Sequence, residues 1–590
     1  LNSATAFGDT MLTVTDAGDF AGTGVDMDKI TVDRTGLSAD YLATQHGIKR
    51  ITLLKRGSAA DTLKFANYAA KRAADATDTH EFRLITDNDT ATANALMLEA
   101  SRFKGGRVNY DGTTASYNGE IYGGISREGH TTTDNQLTVT GIHGTDDPKF
   151  AFGGLNEGAA GAVTNSHATI NLQNAADEIA EVYGGMIANE DNAGEVSGNS
   201  VAMQKGTVQK VFGGYTAGTG TVKNNTVNFS GSESSDHIAG GYIEKADSTA
   251  EAAENKIVFT NGTAVNVNGA VSEGTGALKK NTVTFSGNDS ETIRGAFSKN
   301  QGRVEENGVT ISGGTVENVY GAVTGGTGVA ANNYVTLTGG TVDTEVAGGV
   351  GYQATGNTVT ISGGTFSGYS GADVYGGKTS GGPGSSVSNN TVNLGAEDGT
   401  YTANLSRASI HGDNSTGGAV NNNTLNVRGK GITVYSVNNF DKYNFKLNNN
   451  IGSGDTMLTI RNGGFGREID FTNNFGVDTS GLSGRPTGTI TLVKSEDANA
   501  LTFKDGYAPR DLGSTANAEY FIGTDTGTRT ATSVIMNYSL FKDNAWTYDG
   551  TNPATANEVA GGISYKGGHT TFNNQITVTG VPSTNLNFVY

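Results

Sequence analysis

The side chains best suited to chemistry in this chain are acidic residues of its repeated region, of which Glu317, Asp343 and Asp373 are typical. Cleavage of a polysaccharide by a hydrolase or a lyase needs two or three carboxylates that converge on one face, often with a base nearby. These carboxylates fall at drifting positions in successive repeats, so we interpret them as solvated surface charges. We predict a non-enzymatic protein without catalytic residues, and polysaccharide cleavage stays as the enzymatic alternative.

Other short motifs lack the context that their chemistry requires. Residues 371–379 approach the spacing of a phosphate-binding loop, but the first Gly is one position too early and no helical pattern follows. His130 and His569 lie at equivalent places, yet none of the eight histidines is paired at metal-ligand spacing. No calcium-loop motif is complete. We therefore predict no cofactor and no metal site, and leave open a loosely held surface calcium ion.

The composition excludes several classes of protein. The chain has 590 residues with 87 Gly, no Cys and a formal charge of -19, which makes binding to a nucleic-acid backbone improbable. It contains no apolar run of about 18 residues, so we expect no membrane insertion by this segment. The missing cysteines suit a chain that crosses a pore unfolded, although chance in a Thr-, Asn- and Gly-rich composition also explains them.

The elements that would position these side chains are indicated by a column of Asn residues, each of which opens a short apolar strand. The column recurs at steps of 24 to 33 residues, most often 26. A period in this range is typical of a solenoid, in which each turn buries its apolar side against its neighbours. The column consists of Asn199, Asn225, Asn255, Asn281, Asn307, Asn333, Asn357, Asn390 and Asn423.

Each repeat follows one plan. Apolar residues two apart, such as Val309 and Ile311, predict a strand with one buried face. A second strand ends in an aromatic or apolar residue and a Gly pair, and a variable polar stretch follows. We predict an all-β, three-sided, right-handed parallel β-helix (β-solenoid) with turns of about 26 residues. We expect stacked Asn side chains to bond to each other, and Gly pairs to supply positive-φ corners.

Aromatic residues precede several Gly pairs. They form either an exposed ladder suited to stacking on sugars or a structural ladder of packed rings. The positions concerned are Tyr122, Tyr183, Phe212, Tyr320 and Tyr375.

The two ends of the chain resemble each other. Residues 8–14 return as 454–460, and residues 134–141 return as 573–580. We therefore predict a β-rich block at 1–118, a regular solenoid at 119–450, a second block at 451–556 and the start of a further solenoid segment at 557–590. The repeat indicates a tandem giant protein.

The Asn-Thr-Val-Thr-Ile-Ser-Gly-Gly-Thr units from Asn357, the Val-Tyr-Gly-Gly units and the Gly-Asp-Thr-Met-Leu-Thr-Ile segment from Gly454 resemble the passenger regions of large, Gly- and Asn-rich bacterial autotransporters. This resemblance implies an extracellular right-handed β-helix at the surface of a Gram-negative cell, and adhesion or aggregation. The expected partners are surface glycans or proteins of host or bacterial cells, with lateral self-association also open. A passive stalk or filament segment is the main alternative.

Overall fold

The protein is described here by a computed structural model that covers residues 1, 9–15, 24–34, 48–57, 62–68, 73–144, 147–174, 177–368, 371–414, 419–550, 558–564, 569–580 and 588–590. Its stacked parallel strands form about 15 turns, which confirms the predicted all-β solenoid fold. The chain divides into two compact units, Leu1–Glu291 with Gly295–Arg303, and Thr292–Arg294 with Val304–Tyr590. Each unit is described in turn.

In the first unit each solenoid turn contributes three kinds of strand, which we name by their place in the turn. The Asn-led strands follow the column position and the Gly-pair strands carry the Gly pair; the long strand Ser200–Thr216 serves as both. The short strands precede the column position. The Asn-led strands are Arg107–Tyr110, Gln136–Val139, His167–Asn171, Ser200–Thr216, Thr226–Phe229, Lys256–Phe259 and Thr282–Phe285. The Gly-pair side has Glu120–Tyr122, Ile125–Ser126, Phe150–Asn156, Glu178–Ile187, Ser232–Ile243, Gly262–Ser272, Asp289–Arg294 (shared between the two units) and Phe297–Ser298. The short strands are Thr132–Thr133, Val163–Thr164, Val196–Ser197, Val222–Lys223, Ala252–Ala253 and Leu278–Lys279.

The second unit repeats this plan, and its long strand Tyr334–Ala347 again serves two sides of one turn. Its Asn-led strands are Gly308–Ile311, Tyr334–Ala347, Thr358–Phe366, Thr391–Leu394, Thr424–Val427, Lys442–Lys446 and Phe475–Asp478. The Gly-pair side has Thr315–Tyr320, Val323–Thr324, Val350–Gly351, Ala372–Tyr375, Lys378–Thr379, Ala408–His411 and Ser436–Asn438. The short strands are Val304–Glu305, Val329–Ala331, Gln353–Thr355, Ser386–Ser388 and Ala419–Asn421.

The solenoid core is built from like residues stacked in register. Val227 pairs with Ile257 across parallel strands, and two positions on, Phe229 pairs with Phe259. The rings of these two Phe residues stack with their centroids 4.6 Å apart. Alternation places Asn228, which lies between the two buried positions, on the exposed face. The period-two pattern of the sequence therefore produces the packed side of each turn directly.

Each unit also contains one β-rich block, and the two blocks share a strand order. The first block has a sheet in the order Thr10–Val14, Ile48–Arg56, Ala95–Arg102, His80–Thr86, Ala73–Ala76, a small sheet of Val25–Asp26, Leu63–Ala66 and Thr92–Ala93, and a 3-10 helix, Met27–Lys29. The second block has a six-stranded sheet in the order Ile432–Val434, Thr456–Ile460, Thr487–Ser495, Ser533–Leu540, Ala518–Thr524, Arg510–Ser514. It also has an α-helix, Phe471–Asn474. Three separate strand pairs are Leu501–Thr502 with Thr530–Ala531, Ala545–Tyr548 with Gln575–Val578, and Glu558–Val559 with Phe588–Val589.

The likeness of the blocks extends to a buried carboxylate. Ser101 donates a hydrogen bond to Glu81 at 2.9 Å, and at the equivalent positions Ser539 donates to Glu519 at 2.6 Å. Both Glu residues are buried, at 1% and 3% exposure. The sequence repeat therefore corresponds to a repeat of sheet order and of interior chemistry. Among the residues that the structure describes, no helix has the length and apolar character to cross a bilayer.

Candidate functional site

The column Asn residues form a hydrogen-bonded ladder inside each unit. The Nδ2 group of Asn225 donates to Oδ1 of Asn255 at 3.0 Å and to the carbonyl of Val196 at 3.1 Å. The backbone N–H of Asn225 donates to the same Oδ1 at 3.1 Å. All nine column residues are buried to 1% exposure or less. They satisfy one another's polar groups and are inaccessible to a ligand.

The ladder extends beyond the column that the sequence pattern identified. In the first unit Asn135 occupies the same place two turns before Asn199 and accepts the backbone N–H of Gly106 at 2.7 Å. In the second unit the carboxylate of Asp441 accepts the backbone N–H of Asn423 at 3.0 Å. Asp441 therefore replaces the next Asn of the ladder. The strand after Asn135 has the apolar alternation of the other repeats, and this is the signal that could have identified it.

The predicted positive φ is confirmed for the Gly pairs at the corners, where Gly314 and Gly340 have φ 75° and 80°, and is wrong for the pairs within the Gly-pair strands. Gly213 and Gly214 do not have positive φ; the left-handed residue is Asn224, directly before the column Asn, with φ 56°. A Cβ on Gly214 would lie 2.5 Å from Nδ2 of Asn225, and a Cβ on Gly213 would lie 2.5 Å from the carbonyl oxygen of Gly240. Gly is required because the Asn ladder and the next turn approach the backbone closely.

Aromatic rings line the opposite face of the Gly-pair strands in the first unit. Tyr183 stacks on Phe212 with ring centroids 5.1 Å apart, and Phe212 meets Tyr215 edge to face at 5.2 Å. Residues three apart in a straight strand point to opposite faces, so this contact requires the strand to turn at the Gly pair. The resulting inner angle holds the aromatic crease, which we define as Tyr122, Phe152, Tyr183, Phe212, Tyr215 and Tyr242.

The exposed form of the aromatic ladder, one of the two interpretations left open, is wrong for four of its five residues. Tyr122, Tyr183, Phe212 and Tyr375 are 0%, 5%, 4% and 8% exposed, and only Tyr320 is half-buried. In the first unit the rings stack on one another through Phe152, so their faces are already covered. A sugar ring has no free aromatic face on these residues. The structural ladder, which was the alternative interpretation, describes their packing.

Carboxylates follow the rim of the aromatic crease and bind the tyrosine hydroxyls. Tyr242 donates to Glu273 at 2.6 Å, and Tyr183 donates to Glu181. Burial, followed by the bond to Glu181, raises the pKa of Tyr183 well above its ordinary value, which keeps the hydroxyl protonated. Lys210 pairs with Glu181 at 3.0 Å. The rim therefore presents paired charges rather than isolated acids.

In the second unit the Gly-pair strands carry a mixed polar and aromatic cluster. Tyr375 stacks on His411 with ring centroids 4.7 Å apart, and Lys378 lies 5.1 Å from the Tyr375 ring. Asp373 pairs with His411 at 3.1 Å, and this contact with His411 is the main cause of the lowered pKa of Asp373. Lys378 also pairs with Glu345. Asp373 and Lys378 thus each have a polar or charged partner on a neighbouring turn.

The acidic residues considered for catalysis lie on neighbouring turns of the second unit. Glu317 is exposed, Asp343 accepts a hydrogen bond from the Ser367 hydroxyl, and Asp373 is paired with His411. These positions lie in three successive turns: Glu317 and Asp343 directly follow the paired residues Val316 and Val342, and Asp373 pairs in register with Glu345.

Histidines in the repeated parts of the chain have packing roles. His130 stacks on Phe103 with ring centroids 4.8 Å apart, and at the equivalent positions His569 stacks on Phe541 at 4.4 Å. His80 is buried in the first block, and burial, with a smaller effect from Arg102, lowers its pKa from the ordinary 6.5 to about 4. No group of three or more potential metal-ligating side chains occurs within the described ranges.

A buried charge network lies beside the crease in the first unit. Glu99 is 1% exposed and pairs with Arg50 at 2.7 Å, with Arg127 at 3.2 Å and with Arg83 at 3.6 Å. Arg127 also pairs with Glu157, whose pKa burial raises although Arg127 opposes the shift. The equivalent of Glu99 in the second block is Asn537, an exposed residue. The network thus belongs to one block and not to the shared fold.

Comparisons with family models, with curated proteins and with solved structures gave no match for this chain.

Proposed function

We propose that this chain is a non-enzymatic adhesin or aggregation segment, displayed as rigid β-solenoid repeats at the surface of a Gram-negative cell or released from it. The finer assignment, to the passenger region of a large Gly- and Asn-rich autotransporter, is part of the same proposal. It is supported by the parallel β-solenoid fold together with the Asn-Thr-Val and Val-Tyr-Gly-Gly motifs.

The observation that carries the proposal is the periodic pairing of side chains along the crease. Tyrosine hydroxyls bind carboxylates, and carboxylates bind Lys residues, turn after turn; Glu273, for example, binds both Tyr242 and Lys299. Carboxylates held in this way present fixed charges and hydrogen-bond acceptors, which suits recognition of a polar or charged partner. Equivalent positions on successive turns are about 4.8 Å apart, the strand spacing.

Such a surface suits a repeating partner. Many weak contacts along successive turns add up to strong attachment when the partner repeats too, as a glycan chain or an array of surface proteins does. We therefore propose surface glycans or proteins of host or bacterial cells as partners. A passive stalk that holds a distal binding domain away from the cell is the alternative function, and polysaccharide cleavage is the second.

The test is binding of the purified, labelled chain to glycans and matrix proteins immobilised at several densities, with soluble product measured in the same wells. We expect saturable binding that strengthens steeply with density, without product release. Absence of binding at every density would contradict adhesion and leave the stalk. Product release that is lost in Asp373→Asn would replace adhesion by an enzymatic function.

Two matched charge reversals locate the binding surface. Lys299 pairs with Glu273 at the crease, whereas Lys279 pairs with Glu251 beside the short strands at 3.1 Å, and the two Lys side chains are similarly exposed, at 46% and 37%. Lys299→Glu should weaken binding, and Lys279→Glu should leave it unchanged. Equal effects of the two reversals would show that net charge matters and that the crease does not.

A further inference from the structure

The first block has an apolar strand at the edge of its sheet. Strand Thr10–Val14 pairs with Ile48–Arg56 along one side and has no strand on its other side among the residues that the structure describes. Met11 and Leu12 are 54% and 57% exposed. The strand contains no charged residue and no Pro, the usual protections of an open edge. An edge of this composition is suited to accept another strand.

The equivalent strand of the second block has a partner in that place. Strand Thr456–Ile460 pairs in parallel with Ile432–Val434, the Leu458 position lying opposite Ile432. Backbone hydrogen bonds close the pair at both ends. The N–H of Gly431 donates to the carbonyl oxygen of Thr456 at 2.8 Å, and the N–H of Arg461 donates to the carbonyl oxygen of Val434 at 3.0 Å. Met457 and Leu458 are 0% exposed. The same residue types are thus fully buried where a solenoid turn covers them.

A second segment of the blocks shows the same difference. In the second block Asp470 caps a helical turn, and the strand Phe475–Asp478 that follows pairs in parallel with Lys442–Lys446. In the first block Asp26 caps the corresponding turn, and the extended residues 30–33 that follow it belong to no strand pair in the described ranges. Both strands that cover the second block come from one stretch of chain, residues 424–446. One solenoid turn therefore covers both segments.

We propose that the outer edge of Thr10–Val14, together with residues 30–33, is a docking surface for the end turn of a β-solenoid of the type formed by residues 424–446. Leu12 would lie opposite the position of Ile432, and Val14 opposite that of Val434, by the register of the second block. The partner chemistry is a parallel turn that supplies one apolar strand to each segment. The proposal is independent of adhesion, since it concerns how solenoid and block join.

The test extends the full chain at its N-terminus with a second copy of residues 304–446, so that Leu1 takes the place that Leu447 has after residue 446. Because the chain has no Cys, a single Leu12→Cys substitution reports burial of the edge by the reaction of its thiol with a maleimide. We expect this thiol to react at least about 100-fold more slowly in the extended chain, as a strand interior does relative to an open edge. Leu458→Cys in the unextended chain is the buried reference.

Hydrogen exchange measured without any substitution keeps the test independent of Cys variants that fold poorly. Amides of residues 9–15 should exchange more slowly in the extended chain than in the unextended one, while those of 456–460 should be slow in both. Unchanged exchange and unchanged reactivity of the Leu12→Cys thiol on extension would overturn the proposal. Slow reaction of the Leu12→Cys thiol in the unextended chain at every protein concentration would also overturn the proposal. Protection of the edge that increases with protein concentration in the unextended chain would identify a second copy of the chain as the occupant instead.

Discussion

Removal of one side chain from the buried Asn ladder should destabilise the solenoid by several kcal/mol. Asn255 is 0% exposed; its Oδ1 accepts the backbone N–H and the Nδ2 group of Asn225 at 3.1 and 3.0 Å. Its own Nδ2 donates to the carbonyl of Val222 at 3.0 Å and to Oδ1 of Asn281 at 2.9 Å. Asn255→Ala breaks all four bonds inside the protein.

The magnitude follows from the groups left without partners. Two donors of Asn225 lose their acceptor, and a buried polar group without a partner costs about 1–3 kcal/mol. Oδ1 of Asn281 keeps the backbone N–H of Asn255 at 3.0 Å, so the acceptors lose less. We expect the unfolding free energy of the surrounding turns to fall by about 3–6 kcal/mol. Asn255→Asp keeps the acceptor but buries a charge, so it should destabilise more at neutral pH than in acid.

The control is Asn228→Ala, in the preceding turn, which removes an exposed Asn from the outer face of strand Thr226–Phe229. It should change stability by less than about 0.5 kcal/mol. Because the one Trp lies outside these turns, at Trp546, hydrogen exchange of residues 222–285 in increasing urea is the suitable assay. If Asn255→Ala loosens these turns no more than Asn228→Ala does, the ladder does not stabilise the solenoid and the argument is refuted.

Three further substitutions probe other contacts of the two units. Gly214→Ala should destabilise its turn by about 1–3 kcal/mol in urea unfolding, because the new Cβ meets the side-chain amide of Asn225. The control is Gly452→Ala, where no atom lies within 4 Å of the new Cβ, and it should be near neutral. Equal effects of the two substitutions would contradict the packing role of Gly214. Glu99→Gln should lower the unfolding free energy of the first block by about 3–5 kcal/mol, measured by thermal unfolding, since three Arg residues lose a buried counter-charge. An unchanged unfolding free energy would show that water or other acids compensate for the lost charge. The unfolding free energy of the first block should fall as pH decreases from about 6.5 towards 4, because the unfolded chain protonates His80 in this range and the folded chain does not. His80→Gln should flatten this pH dependence when unfolding is measured at several pH values. An unchanged slope in His80→Gln would assign the pH dependence to other groups.

The sequence by itself determined the fold. A solenoid turn contacts only its neighbours, so the Asn column and the period-two apolar pattern of one repeat already contain the contacts that define the next. The pairing of Val227 with Ile257 is an example, since both positions follow their column Asn by the same distance. The duplicated blocks were visible in the same way, because like segments in the same order along the chain form sheets in which five strands have the same order.

Tertiary structure decided what each residue faces. The sequence of a Gly pair does not reveal whether Gly is needed for a left-handed turn or because a neighbouring group leaves no room for a Cβ. At Gly214 only the buried amide of Asn225 beside it shows that the lack of room for a Cβ is the reason. The aromatic residues before the Gly pairs lie on the outer face, as alternation predicts. They are nevertheless buried, because the strands turn at the Gly pair and the rings of neighbouring turns close over one another.

The clearest case is a pair of identical residues. Met11 and Met457 stand in the same Gly-Asp-Thr-Met-Leu-Thr context, yet one is 54% exposed and the other 0%. The local sequence determines that both Met residues lie in a strand next to an equivalent neighbouring strand, which is Ile48–Arg56 in one block and Thr487–Ser495 in the other. Burial is set by the chain on the far side of the strand, which in the second block is Ile432–Val434, one turn earlier in the sequence.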